Sequence, residues 1–260
     1  MAPVQGLDAH RNYKLGKAKA REDSRNLKFK RLLRELVRTD LPDHYDFDST
    51  HPGIPIPMFA NDEYGDCVIA ARAHQTLRFE YVEQNRLIAI TDQEVLNQYL
   101  AETGGLDEGL VMLDSLVSWR NIGWRVVAEQ LFIRAFAQAN PLSLQEFKQA
   151  IYLDLGLQIG LALPISAQSQ FEQGQLWDVA SGPPAQVNSW GGHCVFVCGY
   201  TESGPVCITW GRKQQMSWAF LNKYCDEAYV VFDALNIKKL KKNLKLELLS
   251  SFLKTQPSKA

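Results

Sequence analysis

Up to about residue 155 the apolar positions recur mostly at helical spacing; beyond Leu155 they fall into short alternating or continuous runs. Phe29, Leu32, Leu33, Leu36 and Val37 predict a short amphipathic helix near 27–38. From there to Asn61 the chain carries Pro42, Pro52, Pro55 and Pro57, which predicts an extended segment. Cys67, Ala70, Ala71, His74, Leu77 and Tyr81 then mark a buried helix opening at Cys67, with Arg72, Gln75, Arg78 and Gln84 on its other faces. A second helix is predicted from Asp92 to about Leu100, with Thr91 as N-cap and Glu94 at the third position. A Gly104-Gly105 turn leads to a third from Asp107 to about Asn121, and a fourth starts near Ser143 with Glu146 behind it. Gln158–Ile165, Gly192–Tyr200, Val206–Trp210 and Tyr229–Phe232 read as strands. A helical half followed by a sheet half predicts an α+β fold in two lobes.

Both ends depart from that body. Residues 1–26 have no apolar period and read as a mobile arm. Of 260 residues with a formal charge of −1, the first 40 carry a net +6, residues 234–260 another +6, and the segment between them −13. Four units are expected: a basic arm and short helix over 1–40, a helical lobe over 41–145, a β lobe over 146–233 and a basic amphipathic tail over 234–260. In the tail Leu235, Leu240, Leu244, Leu248, Leu249 and Phe252 alternate with lysines. Nucleic acid or an anionic membrane could take such ends, but the acidic body is the nearer counter-charge. One or both of them are expected to dock on it, in the same or a neighbouring subunit, with the arm across the cleft as one arrangement.

An apolar content of 46% supports a sizeable core, and no apolar run is long enough for a membrane helix or a secretion signal. A cytoplasmic location is expected. The five cysteines form no CxxC pair, so neither a zinc site nor a disulfide framework is expected, nor any cofactor. Cys194, Cys198 and Cys207 read as small core residues, and Asp226 and Glu227 as adjacent strand residues facing opposite ways.

Cys67 is the reactive candidate, because a helix N-terminus after a Gly-Asp turn stabilises thiolate. Among the histidines, His74 lies too far along the same helix to serve it, and His10, His44 and His51 sit in segments read as solvated. His193 remains, at the start of an apolar strand behind Gly191-Gly192, where glycine lets another chain approach closely.

These residues resemble the papain-like cysteine peptidases. In that family an amide side chain precedes the nucleophile by six residues, as Asn61 precedes Cys67, although the family normally has Gln there. The interval from His193 to Gly199-Tyr200 is similar to the family's base strand, and Gly104-Gly105 looks like its substrate-facing diglycine. Leu41 to Phe47 resembles the start of a mature enzyme. The resemblance covers about residues 41–232 and implies a peptide or protein substrate in a cleft between the lobes. It implies Cys67 as nucleophile, His193 as base, Asn61 with the Cys67 N–H as oxyanion donors, and Gly104, Gly105 and Gly192 as substrate-binding positions.

The third catalytic member stays open. Relatives orient the histidine with the Asn of an Asn-Ser-Trp-Gly sequence, and here the stretch is Cys207-Ile208-Thr209-Trp210-Gly211. Aligning on Trp210 places Ile208 in that slot, and counting from His193 places Thr209 there, with Trp210 as a shield. Asn188-Ser189-Trp190-Gly191 has the same words but precedes the histidine. Peptide hydrolysis by a Cys–His pair is the leading reading; a weak or inactive peptide-binding module, or a transpeptidase or amidase with the same pair, is the alternative.

Overall fold

The computed structural model describes residues 13–34 and 40–255. Ten helices are present among them: α1 (Phe29–Leu32), α2 (Phe47–Thr50), α3 (Cys67–Gln84), α4 (Asp92–Thr103), α5 (Met112–Asn121), α6 (Leu144–Tyr152), α7 (Ile165–Glu172), α8 (Trp218–Tyr224), α9 (Ala234–Lys239) and α10 (Leu246–Thr255). The strands are β1 (Tyr45–Asp46), β2 (Trp124–Val126), β3 (Glu129–Leu131), β4 (Ala135–Gln138), β5 (Leu157–Leu163), β6 (Gly191–Tyr200), β7 (Pro205–Thr209), β8 (Arg212–Gln215) and β9 (Cys225–Phe232). β2 and β3 form a hairpin; the others make one antiparallel sheet in the order β4-β9-β5-β6-β7-β8, with β1 also on β6. The fold is α+β, with two cores divided by this sheet.

Strand periodicity makes the division. On β6, Val195 and Val197 face one core while Cys194, Phe196 and Cys198 face the other; on β9, Val230 and Phe232 part from Tyr229 and Val231 in the same way. The second core is built around α3, which packs across β6. Every residue of α3 from Cys67 to Glu80 is buried, so its polar residues do not form a solvated face. They are paired instead: Arg72 with Glu102 at 2.9 Å, Arg78 with Asp48 at 2.7 Å, and Gln75 with the Gln158 amide at 2.8 Å.

Local signals place the helix starts. Thr91 and Glu94 form a capping box on α4, and Ser143 caps α6 through the Glu146 N–H. The expected helix from Asp107 begins only at Met112, because Asp107 Oδ1 accepts from the Gly65 N–H and the Tyr99 hydroxyl, which holds 107–110 open. β1 and β4, both within 41–145, pair with β6 and β9 of the main sheet.

The ends pack into the first core. The helix expected over 27–38 is realised as Phe29–Leu32, and residues 35–38 lie outside the described residues. After it, Leu33 bridges to Leu244, and the Lys245 N–H donates to the Leu32 carbonyl at 2.7 Å. Leu240, Leu244 and Leu249 are buried there with Phe29 and Leu32. Residues 1–12 of the arm and 256–260 of the tail lie outside the described residues.

Candidate active site

Cys67 is the first residue of α3 and is buried. Its Sγ accepts from the Cys194 N–H at 3.4 Å, which brings β6 against the start of the helix. Burial pushes the thiol up to about 12, while the backbone N–H groups of Cys194 and Gly16 work the other way. The neighbouring Asp66 is also buried, and burial raises its carboxyl to about 8.

His193 precedes Cys194 on β6 and is fully buried, which pushes the imidazole down to about 3. Its Nε2 lies 2.6 Å from Thr209 Oγ1, and the Trp210 ring stacks on it at 4.1 Å with an interplanar angle of 11°. Nδ1 has no hydrogen-bond partner. Of the two residues left open for the orienting slot, Thr209 is the one on the histidine; Ile208 lies across β7 in the α3 core. In this conformation burial opposes charge on both the thiol and the imidazole.

Asn61 stands near the helix start, but its Nδ2 donates to the Tyr64 carbonyl at 3.2 Å and to Asp66 Oδ1 at 3.0 Å. Both amide protons are engaged, so the side chain does not present a free oxyanion donor in this conformation. Gly104 is the left-handed C-cap of α4, open space lies beside both Gly104 and Gly105, and the arm pairs with Leu110 and not with either of them. A diglycine there ends a helix. The backbone that faces the groove is Leu110, and Gly192 lies opposite.

Residues 13–18 of the arm occupy that groove. Tyr13 packs against Phe171 and Trp210 with ring centroids 4.9 and 5.1 Å away, and the Trp210 indole donates to the Lys14 carbonyl at 3.2 Å. The Lys14 N–H donates to the Asn61 carbonyl at 3.1 Å and the Lys17 N–H to the Gly192 carbonyl at 3.0 Å. Leu110 pairs with the arm as a parallel bridge, donating to Gly16 at 2.8 Å and accepting from Ala18 at 2.9 Å. A Cβ on Gly16 would overlap the Gly65 carbonyl, and one on Gly192 would overlap the Lys17 carbonyl. Glycine at 16, 65 and 192 is therefore what lets a chain pass this close to Cys67.

Beyond Gly16 the Lys17 ammonium is buried against Asp226 at 2.9 Å and Glu227 at 3.2 Å. The expectation that these two carboxylates face opposite ways is overturned by a bulge: Gly160 pairs with Glu227 but Leu161 with Cys225, so Asp226 is the extra residue and both side chains reach one point. One other acidic group, Asp46, Asp48 and Cys198, has a metal-like arrangement, but Lys213 lies 2.7 Å from Asp46 and Arg78 lies 2.7 Å from Asp48. Cations of the chain already fill it.

The fold itself, helices packed on one antiparallel sheet, recurs in solved structures. Xylellain, a cysteine protease from Xylella fastidiosa, superposes with a TM-score of 0.66 at 14% identity, over 88% of this chain and 99% of that one. The chain has the papain-like fold. Procathepsin B S9 from Trypanosoma congolense shares the papain-like fold at TM-score 0.61 and 12% identity, over 85% of this chain and 87% of its own. A stem bromelain precursor does so at 0.59 and 12%, over 86% and 78%. No family model matches the sequence and no curated protein matches it. Leu110, Lys17 and Asp66 were missed by sequence reasoning; the glycines at 65, 160 and 192 are the signal that marks where another backbone or side chain closes in.

Proposed function

We propose that the protein is a cysteine peptidase in its closed form, acting by covalent catalysis through Cys67 and His193. What carries the reading is the arm itself: an extended peptide lies across the nucleophile, paired by backbone hydrogen bonds to Leu110 and Gly192. A groove that holds one peptide this way can hold another, since backbone pairing takes any sequence.

With the groove open, water reaches the pair and the desolvation that opposes charge on both groups falls away. His193 then takes the Cys67 proton, giving thiolate and imidazolium. The sulfur attacks the peptide carbonyl carbon, the C–N bond breaks as the imidazolium protonates the leaving amine, and water attacks the thioester with His193 as base, restoring the thiol. The Cys67 N–H, at the free end of α3, faces the developing oxyanion. Thr209 and Trp210 position the imidazole; Asn61 holds Asp66. In the closed form the arm presents the Gly16 amide to the sulfur, and an N–H is not an electrophile.

The test is alkylation and turnover together. A small alkylating agent at pH 6 should label Cys67 more than about tenfold faster once the arm is displaced, and peptide-ester hydrolysis should vanish in Cys67→Ala and His193→Ala. Hydrolysis that survives both variants refutes the assignment, as does equal labelling of Cys67 and Cys225 in the open form.

A further inference from the structure

The Lys17 side chain is buried beside the nucleophile, against two carboxylates. The ammonium donates to Asp226 Oδ2 at 2.9 Å and to the Ala18 carbonyl at 3.2 Å, and it forms an ion pair with Glu227 Oε1 at 3.2 Å. Lys17 and Glu227 side chains are only 1% and 2% exposed. The stem passes over Gly160, where a Cβ would overlap Lys17 Cε, so a glycine inside β5 makes the entrance. Burial opposes the ammonium, but the charges of Glu227 and Asp226 outweigh it and raise its pKa.

Lys17 reaches this pocket only because the arm crosses the cleft. When the arm leaves, the buried Glu227 and the partly exposed Asp226 converge with one cation fewer, which is unfavourable, above all for Glu227, unless a proton or another cation replaces it. A long basic side chain on a bound peptide supplies that charge, and an arginine fork matches two carboxylates as well as an ammonium does. We propose that Gly160, Asp226 and Glu227 form a specificity subsite for a lysine or arginine side chain of the substrate, which Lys17 fills in the closed form. This deepens the peptidase reading and rests on it.

Full-length protein carrying Lys17→Ala, which vacates the pocket, is assayed with a positional-scanning peptide library, each position fixed in turn as Lys, Arg, Met or Leu. At one position the basic residues should exceed Met and Leu by at least about tenfold in kcat/KM, a difference on the scale of one buried charge pair. The added pair Asp226→Asn and Glu227→Gln should bring that ratio to about one. A preference for apolar residues at every position overturns the proposal, and so does a basic preference that survives the carboxamides.

If no peptide is hydrolysed, the peptidase reading fails, and the pocket is judged without catalysis. In full-length Cys67→Ala protein, hydrogen exchange of the Lys17 and Ala18 amides should quicken at least about tenfold with Lys17→Met and stay slow with Lys17→Arg. Equal protection in the two variants overturns the cation-selective pocket. Thermal unfolding of the carboxamide variant separates loss of selectivity from loss of fold: a variant that unfolds early is replaced by Gly160→Ala, which closes the entrance and should remove the basic preference by itself.

Discussion

Asp66 stands at the N-cap of α3 yet makes no capping bond with its side chain; Oδ1 accepts from Asn61 and Oδ2 has no hydrogen-bond partner. Its carboxyl rises from 3.8 to about 8 on folding, with burial as the main cause. The folded state thus binds the proton more tightly, so this residue's contribution is fully present below about pH 4 and is lost as pH rises toward 8. We expect Asp66→Asn to flatten that part of the stability curve, read as Tm against pH from 4 to 8; an unchanged slope assigns the dependence elsewhere. Thr209 gives a second expectation at this scale. Thr209→Val keeps the shape but leaves His193 Nε2 without its 2.6 Å partner, and should lower kcat in the open form by about tenfold, with a displaced pH profile. A kcat and profile equal to those of the parent would make Thr209 a packing residue only.

Among the elements, the arm shows how much one missing Cβ decides. Gly16 runs against the Gly65 carbonyl, which lies in the turn before α3. Gly16→Ala should therefore drive residues 13–18 out of the groove and speed Cys67 alkylation at least about tenfold, with circular dichroism unchanged. An unaltered labelling rate would mean that the arm does not limit access. The sequence made the local devices legible: Thr91 and Glu94, Ser143 and Glu146, and the apolar runs of β5 and β6 each depend on residues within a few positions. The start at Cys67 was legible for the same reason, as was the segregation of basic ends. What escaped depends on distant partners. Gly104-Gly105 has the composition of a substrate-facing turn, yet Tyr99 and Asp107 hold the following residues so that Leu110 takes that place. The meeting of Asp226 with Glu227 needs a bulge that only pairing with β5 creates, and Lys17 sits in a stretch with no period to announce it.

For the whole molecule the charge pattern raises a question of salt. Arm and body have opposite signs, and exposed contacts between them, such as Arg21 with Asp114, are of the screened kind. The Lys17 contact is different, because the ammonium and Glu227 are almost wholly out of water. Alkylation of Cys67 in the parent protein should therefore change by less than about twofold between 50 and 500 mM salt; a steep rise would place the hold on the exposed pairs instead. Stability of the whole should depend on the tail. Leu249 is 3% exposed in the core shared with α1, so Leu249→Ala should cost about 2 to 4 kcal/mol in denaturant unfolding, and a loss near zero would show that α10 is not part of the cooperative unit.

The fastening of Leu32 and Leu33 to Leu244 and Lys245 also has a kinetic meaning. With Phe29 and Leu32 clamped in the core, residues 13–18 can leave the groove but cannot diffuse away. They stay leashed by about ten residues at an effective concentration on the order of millimolar, and reclosure is first order whatever the protein concentration. Dilution will not open this molecule, and a substrate must outcompete a plug that is always present. A single cut in the mostly exposed stretch between Lys19 and Arg25 changes the regime: the plug becomes a separate peptide, its return becomes second order, and a reversible closure becomes a permanent opening.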